Sequence, residues 1–442
     1  MSTSASGGWT VKALGKWDVV VAGGGPAGCT AATAAAQEGK RVLLLEAMGA
    51  LGGMGTLGLI PSWCPFSDGK QIIYRGLAEK VFTASKKGCP HVHPPDDLSW
   101  VPINPEYLKR VYDSLLEEAG VEVLFFTMAA GVKLDGERMT ELLIANKGGL
   151  AGVQADVFVD CTGDGDLCAW GGAPWEKGDV NGEMQPATLC FSLAPVNTYH
   201  YQHGSDTSRN AVKDGVDLSR YTRLGDLHLC NRITGPDTVG FNAGHLWKID
   251  GTDPRSLSSA MREGRRIAAE YRDALAEALP KSFGGAHLAA TAPLMGIRET
   301  RRIMGDYLLT IKDYLARKSF ADEICRNAYP MDMHTARNEI SAVLDNKLNI
   351  MTRFESYKPG ESHGIPYRCL VPRKLRNVLV AGRCISTDRP VQASTRVMPV
   401  ALAMGEAAGV AAAHACAKQG ETRAVDTGAL RDRLRQRGAY LP

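Results

Sequence analysis

The stretch Trp17-Asp18-Val19-Val20-Val21-Ala22-Gly23-Gly24-Gly25-Pro26-Ala27-Gly28 decides how this chain begins to fold. Its first half is a short apolar run, the mark of a strand buried on both faces. Its second half satisfies G-x-G-x-x-G, and residues 28–38 follow as an Ala-rich helix former that Gly39 stops. Arg41-Val42-Leu43-Leu44-Leu45 reads as the next buried strand. Strand, glycine turn, helix and strand in this order make a right-handed βαβ unit. Gly23 allows the tight turn, Gly25 lets backbone N–H groups approach a pyrophosphate, and Gly28 lets helix pack on strand. Pro26 and Ala27 complete the same turn, and the helix N-terminus presents unpaired donors and a positive dipole end to phosphates. Glu46, 18 residues past Gly28, ends the second strand, where an acid holds ribose hydroxyls and repels a 2′-phosphate. The opening segment is therefore an α/β, Rossmann-like dinucleotide site.

The bulk composition narrows the rest. At 442 residues the chain exceeds what one hydrophobic core comfortably serves, so two units are expected. With 51 basic against 48 acidic residues and a net charge of +3, there is no concentrated basic face for nucleic acid or an anionic membrane. Eleven cysteines contain no C-x-x-C pair and no zinc-finger spacing, which points to reduced thiols and no structural metal. His91-x-His93 in the Pro-rich loop could touch a metal, but it lacks further ligands. Residues 1–16 read as a loose tail without the apolar region of a signal peptide. No stretch approaches the ~20 continuous apolar residues of a membrane span. The expectation is a cytoplasmic protein without nucleic-acid or membrane partners, its homo-oligomeric state left open.

Further along, Pro105–Ala119 has helical spacing with Pro at N1, and Val121–Phe126 is another strand. Val132–Leu134, Thr140–Ala145 and Val153–Asp160, joined by Asp135-Gly136 and Lys147-Gly149 turns, suggest a three-stranded meander. From 175 to 360 the texture changes to polar loops, isolated helices near 257–279 and 334–345, and few clear strands. At Asn377–Ala381 the buried-strand pattern returns, followed by an Ala/Gly-rich helix over 399–418. The expected division is a discontinuous nucleotide-binding domain, 1–174 plus 361–442, with an inserted α+β unit at 175–360.

A second glycine-rich segment, Leu51-Gly52-Gly53-Met54-Gly55-Thr56, follows the ribose acid. With it the sequence resembles the FAD-dependent oxidoreductases of the glutathione-reductase structural class, in the branch related to fumarate reductase flavoproteins and glucose-inhibited division protein A. Four further stretches carry the resemblance: Phe158–Asp166 (FVDCTGDGD), Gly296–Ile303 (GIRETRRI), Pro366–Leu370 (PYRCL), and Ala381-Gly382-Arg383 with Ser394–Pro399 and the helix after it. The resemblance implies that FAD is held by Gly23, Gly25, Pro26, Ala27, Gly28, Glu46, Ala47, Gly52, Gly53, Met54, Gly55, Thr56, Ala129, Thr162, Gly163, Asp166, Gly382, Arg383, Val397 and Met398. The helix over 399–418 would aim its positive end at a reduced flavin, a dipole typically worth ~0.3–1 kcal/mol. Relatives that attach FAD covalently use a histidine in the segment after the ribose acid. Residues 49–60 contain none, so noncovalent FAD is expected. Gly163-x-Gly165 continues to Cys168 where a third glycine would stand, so neither a built-in NAD(P)H module nor a redox disulfide is expected. The electron donor or acceptor would be external.

Hydride transfer needs a small-molecule substrate over the flavin and a group that takes or gives a proton. The candidates are His334, which Asp332 would orient, His363 and Tyr367 at the return to the nucleotide domain, and Arg298, Arg301 and Arg396. Arg298 and Arg301 would clamp an anionic or polyol substrate if their segment is helical. The leading reading is an FAD-dependent dehydrogenase or reductase for a small polar organic molecule. Its rivals are a fumarate-reductase-like reductase of an unsaturated acid, a tRNA-modifying enzyme, which the charge balance disfavours, and a noncatalytic flavin-fold binding protein.

Overall fold

The computed structural model describes residues 3–4, 10–90, 97–204, 208–224, 228–334 and 357–442. The histidines at 91 and 93, and all but the first residue of the helix expected near 334–345, lie outside these. The βαβ unit comprises β1 (Thr10–Ala22), α1 (Pro26–Gln37) and β2 (Val42–Leu45), with β1 and β2 parallel. Gly39, at φ +78°, ends α1 as the left-handed residue after the cap. Two surface-to-core helices follow: α2 (Leu77–Lys86) and α3 (Pro105–Glu118), the latter capped by the Asn104 side chain. Then come β3 (Glu122–Leu124), β4 (Met128–Asp135), β5 (Arg138–Asn146) and β6 (Gly149–Asp160).

β1 starts at Thr10, inside the segment expected to be a loose tail. The reason is nonlocal: Lys12 to Ala22 pair along almost the whole of β6, a ladder that local composition does not announce.

The stretch read as poor in strands holds a sheet of its own. β7 (Phe191–Ala194), β8 (Leu229–Gly235), β9 (Thr238–Ala243) and β10 (His287–Thr291) form an antiparallel sheet in the order β8-β9-β7-β10. The helix α4 (Pro254–Ala278) packs Ile267, Tyr271 and Leu275 onto Phe191 and Phe241 of this sheet. These strands escaped the sequence because they are short and because glycines and polar residues interrupt their alternation.

β11 (Glu323–Asn327) and β12 (His363–Pro366) form a ribbon, and β13 (Val378–Val380) returns parallel to Phe158–Asp160 of β6. The main sheet therefore runs β3-β2-β1-β6-β5-β4, with β13 beside β6 and residues 3–4 beside β1. It is parallel from β3 to β6 and antiparallel across the meander.

The last long helices are α5 (Met398–Cys416) and α6 (Thr427–Gln436). A side chain at Gly405 or Gly409 would overlap the carbonyl oxygens of Ala27 or Ala31, so α5 lies in backbone contact with α1. Thr30 Oγ1 donates to Leu402 O across that contact at 2.7 Å. By length and composition α5 is long and apolar enough to cross a membrane, against the expectation that no such stretch exists, yet it is packed inside the protein. Its one buried acid, Glu406, accepts the Leu77 N–H at the start of α2 (2.8 Å) and pairs with Arg437 (2.9 Å), which also reaches Glu38. All eleven cysteines are free thiols.

Candidate functional site

The glycine turn is built as its sequence demands. A Cβ on Gly23, whose φ is +99°, would overlap Cys161 O, and one on Gly28 would overlap Gly23 O. Gly25 differs: nothing stands within 4 Å of where its Cβ would be. That open face lies at the N-terminus of α1, where unpaired N–H groups and the dipole favour an anion. The second glycine segment crosses over the first, with Gly52 N–H donating to Gly24 O at 2.8 Å and a Gly53 Cβ position 3.2 Å from Gly25 Cα.

Glu46 closes one end. Its carboxylate accepts the Gly24 N–H at 2.8 Å and the Met48 N–H at 2.7 Å. Burial raises its pKa while those two N–H groups oppose the rise. Ala47 follows it exposed at the surface, and the Thr127 N–H, two residues before Ala129, donates to Glu46 O. At the other end a Gly55 Cβ position would lie 3.2 Å from Met398 Sδ, next to Val397, the N-cap of α5. Thr56 Oγ1 ties the same segment to Leu51 O. Residues 23–28, 46–56 and 397–398 thus form one continuous wall with an acid at one end and a helix N-terminus at each of two points. The donor set and the space at Gly25 fit an adenine dinucleotide.

Four residues implied for the cofactor meet protein partners. Thr162 Oγ1 donates to buried Asp160 at 2.7 Å and accepts the Asp166 N–H. Asp166 pairs with Arg301 at 2.7 Å, and burial, with Asp160 and Asp164 beside it, pushes its pKa up to about 6. Arg383 spends its guanidinium on Gly163 O (2.8 Å), Ile297 O (2.6 Å) and Asp164 (2.7 Å). These contacts staple the 296–302 segment to the main sheet, and Gly382 sits with its Cβ position 3.3 Å from Ala27 Cβ.

That segment is not helical. Arg301–Ile303 is a short strand paired with Trp175–Lys177, so Arg298 and Arg301 face different partners and form no common clamp. His363 and Tyr367 also differ from expectation. His363 is fully buried in β12, with Nδ1 2.5 Å from Tyr357 Oη, and Tyr367 Oη donates to Thr422 O. Both belong to the core because β12 pairs with β11 instead of lining an opening.

Arg298, Arg396 and His334 do come together. Arg298 Nη1 donates to Pro186 O (2.7 Å) and Thr188 Oγ1 (2.9 Å), and its Nη2 lies 3.4 Å from His228 Nε2. Arg396 Nη2 reaches both Asp332 O and its carboxylate. Asp332 in turn accepts Tyr329 Oη at 3.1 Å and meets His334 Nε2 at 3.3 Å. His334 Nδ1 is 2.9 Å from His245 Nε2, and the His245 ring stacks on His228 with centroids 4.2 Å apart.

The electrostatics follow. Asp332 stays ionised: the His334 contact and the Arg396 charge outweigh the burial that would raise it. His334 is neutral near pH 7, because burial and then Arg298 bring its pKa down to about 4 against the pull of Asp332. Arg298 falls to about 10 through burial and the nearby Arg396, and so remains charged.

The cleft adjoins the cradle. Arg396 is two residues before Met398, and a Gly296 Cβ position would be 3.4 Å from Met54 Cε. Sequence reading missed His228, His245, Thr188 and Gln185, whose Oε1 accepts the His334 backbone N–H at 3.3 Å. The β8–β9 hairpin, through Gly244 N–H to His228 O, brings the two histidines side by side. No spacing rule exposes residues united by a register.

The family model described as FAD dependent oxidoreductase matches residues 18–434. The chain belongs to that family: it is an FAD-dependent oxidoreductase, with FAD as its cofactor. No functionally curated protein matches it. Among solved structures it is similar to the flavin-dependent brominase Bmp2, at 14% identity over 95% of this chain and 83% of that one, with a TM-score of 0.47. A geranylgeranyl bacteriochlorophyll reductase-like protein from Thermoplasma acidophilum shares 13% identity over 95% and 81% of the two chains, with a TM-score of 0.44. The p-nitrophenol 4-monooxygenase PnpA from Pseudomonas putida DLL-E4 shares 12% over 66% and 70%, with a TM-score of 0.41.

Proposed function

We propose that the cleft around His334, Arg298 and Arg396 is the substrate site of a dehydrogenase or reductase acting on a small polar organic molecule. Bound FAD, held noncovalently, supplies the two-electron step as hydride exchange at its N5. The observation that carries the reading is a neutral imidazole fixed between an ionised carboxylate and a second imidazole, beside two charged guanidiniums, next to the wall that fits the cofactor. Arg298 and Arg396 bind and orient oxygen atoms of the substrate. His334 takes a proton from a substrate hydroxyl, or returns one to a carbon or oxygen in the opposite direction. Asp332 fixes the ring and stabilises the imidazolium formed. The second electron partner comes from outside the chain, since only one dinucleotide fingerprint is present.

An anaerobic screen tests this. Alcohols, polyols and hydroxy acids are mixed with the oxidised holoenzyme, and enoates with the photoreduced one, while the flavin absorbance is followed. Bleaching or reoxidation by one class is expected, abolished at least 100-fold by His334→Gln. A flavin that no small polar compound reduces or reoxidises would overturn the reading, as would a His334→Gln enzyme of full activity.

A further inference from the structure

The three imidazoles of the cleft meet more closely than substrate binding alone requires. Their ligand nitrogens, one from each of His228, His245 and His334, lie within 4.8 Å of one another. Among the described residues this is the one His/Cys/Asp/Glu group tight enough to share an ion. All three side chains are half-buried, so an ion can reach them from solvent. We propose that His228, His245 and His334 bind a divalent transition-metal ion of the zinc class, with Asp332 as its outer-shell carboxylate.

The geometry around His334 has the form such sites take. A ligating histidine commonly gives its other ring N–H to a carboxylate, which fixes the tautomer and strengthens the donor. Here Asp332 Oδ1 lies 3.3 Å from Nε2, which leaves Nδ1 facing His245 Nε2 at 2.9 Å. Asp332 is itself held by Tyr329 and Arg396, so the orientation is braced from behind. Metal–nitrogen bonds of about 2.0–2.1 Å in tetrahedral geometry separate ligand nitrogens by about 3.3 Å. Moving from the present spacing to that one takes side-chain rotation, chiefly of the stacked His228 and His245 rings.

Three imidazoles without a thiolate select zinc, cobalt, iron(II), nickel or copper over calcium and magnesium, which prefer oxygen ligands. Three protein ligands also leave a position open, as in reactive sites. The Asp332 carboxylate stands beside the cluster, 3.3 Å from His334 Nε2. Arg298 Nη2, 3.4 Å from His228 Nε2, stands where it would meet an anionic ligand on the ion. The inference rests on the reading of this cleft as a substrate site but gives His334 Nδ1 to the ion where the metal-free cleft gives it to a proton, so the two roles alternate, and metal uptake is measurable without any turnover.

The test uses the full-length FAD-loaded protein, stripped with EDTA, dialysed, and titrated with Co(II) under absorbance, then challenged with Zn(II). One Co(II) per chain is expected, giving ligand-field bands at wavelengths longer than the flavin absorption, which Zn(II) abolishes. His228→Gln, His245→Gln and His334→Gln should each weaken uptake more than 100-fold, and Asp332→Asn roughly 10–100-fold. The exposed His287→Gln control should bind as the wild type does. If a histidine variant loses its flavin, zinc X-ray absorption on the wild type replaces it, with three imidazoles in the first shell expected. No saturable Co(II) band, unchanged uptake in the variants, or fewer than three imidazoles on zinc would overturn the metal site. The flavin screen above fails or succeeds independently of all of these.

Discussion

The cofactor cradle and the histidine–arginine cleft are neighbours built in opposite ways. The cradle is mostly a product of short range: Gly23, Gly25, Gly28 and Glu46 lie within one βαβ unit, and the Cys161 carbonyl and Met398 reach it from afar. The cleft draws His228 and His245 from one hairpin, Arg298 from a strand-flanking loop, His334 from beyond β11, and Arg396 from the approach to α5. The cradle tolerates almost no change of backbone. The cleft is held by side-chain partners, Arg298 by Pro186 O and Thr188 and Arg396 by Asp332.

The largest expected effect lies in the cradle. Gly28→Val places side-chain atoms on Gly23 O and should abolish recovery of folded, FAD-loaded protein. Gly25→Ala, whose new methyl meets only open space, should leave the melting temperature of FAD-free protein within about 2 °C, yet weaken FAD binding roughly 10–100-fold by crowding the phosphate. Calorimetry and FAD fluorescence titration separate the two outcomes. A Gly25→Ala protein that binds FAD normally would remove the pyrophosphate from that turn.

Next in size is the scaffold beneath the cradle. Arg437→Met leaves Glu406 buried with only the Leu77 N–H, and should cost about 3 kcal/mol of unfolding free energy in urea titration. A loss below about 0.5 kcal/mol would make this pair as dispensable as an exposed one.

In the cleft, Arg396→Ala should leave FAD affinity unchanged while lowering kcat/KM about 100-fold, or about 2.7 kcal/mol of transition-state stabilisation. Equal loss of FAD affinity would merge the two regions into one.

The smallest effect concerns pH. His363, driven down to about 3 by burial and then by Arg326 and Arg317, stays neutral in the folded protein. The unfolded chain takes up its proton near pH 6.5, so stability is complete above that value and is lost as pH falls toward 3. Between pH 7.5 and 5 the wild type should lose about 2 kcal/mol more than His363→Gln does. Parallel losses in the two proteins would show that this ring is not held neutral.

How much was legible follows the same division. The βαβ unit, the meander, α5 and the FAD family could be read because each rests on periodicity or on glycines serving a local turn. The four-stranded sheet could not, since its strands lack clean alternation and gain their ladders only from one another. His334 and Arg396 were within reach, Asp332 being two residues from one and bonded to the other. Arg301, His363 and Tyr367 looked equally suitable, and nothing local distinguishes a partnered core side chain from a cleft one.

By itself, then, the sequence determined the nucleotide turn, its ribose acid and the cofactor class, because contacts over a few residues dictate backbone shape. Tertiary structure alone decided which histidines and arginines share a cleft. The register of the β8–β9 hairpin and the contacts of Arg298 with His228, Arg396 with Asp332 and His334 with His245 made that choice, and those contacts join residues 64 to 89 positions apart.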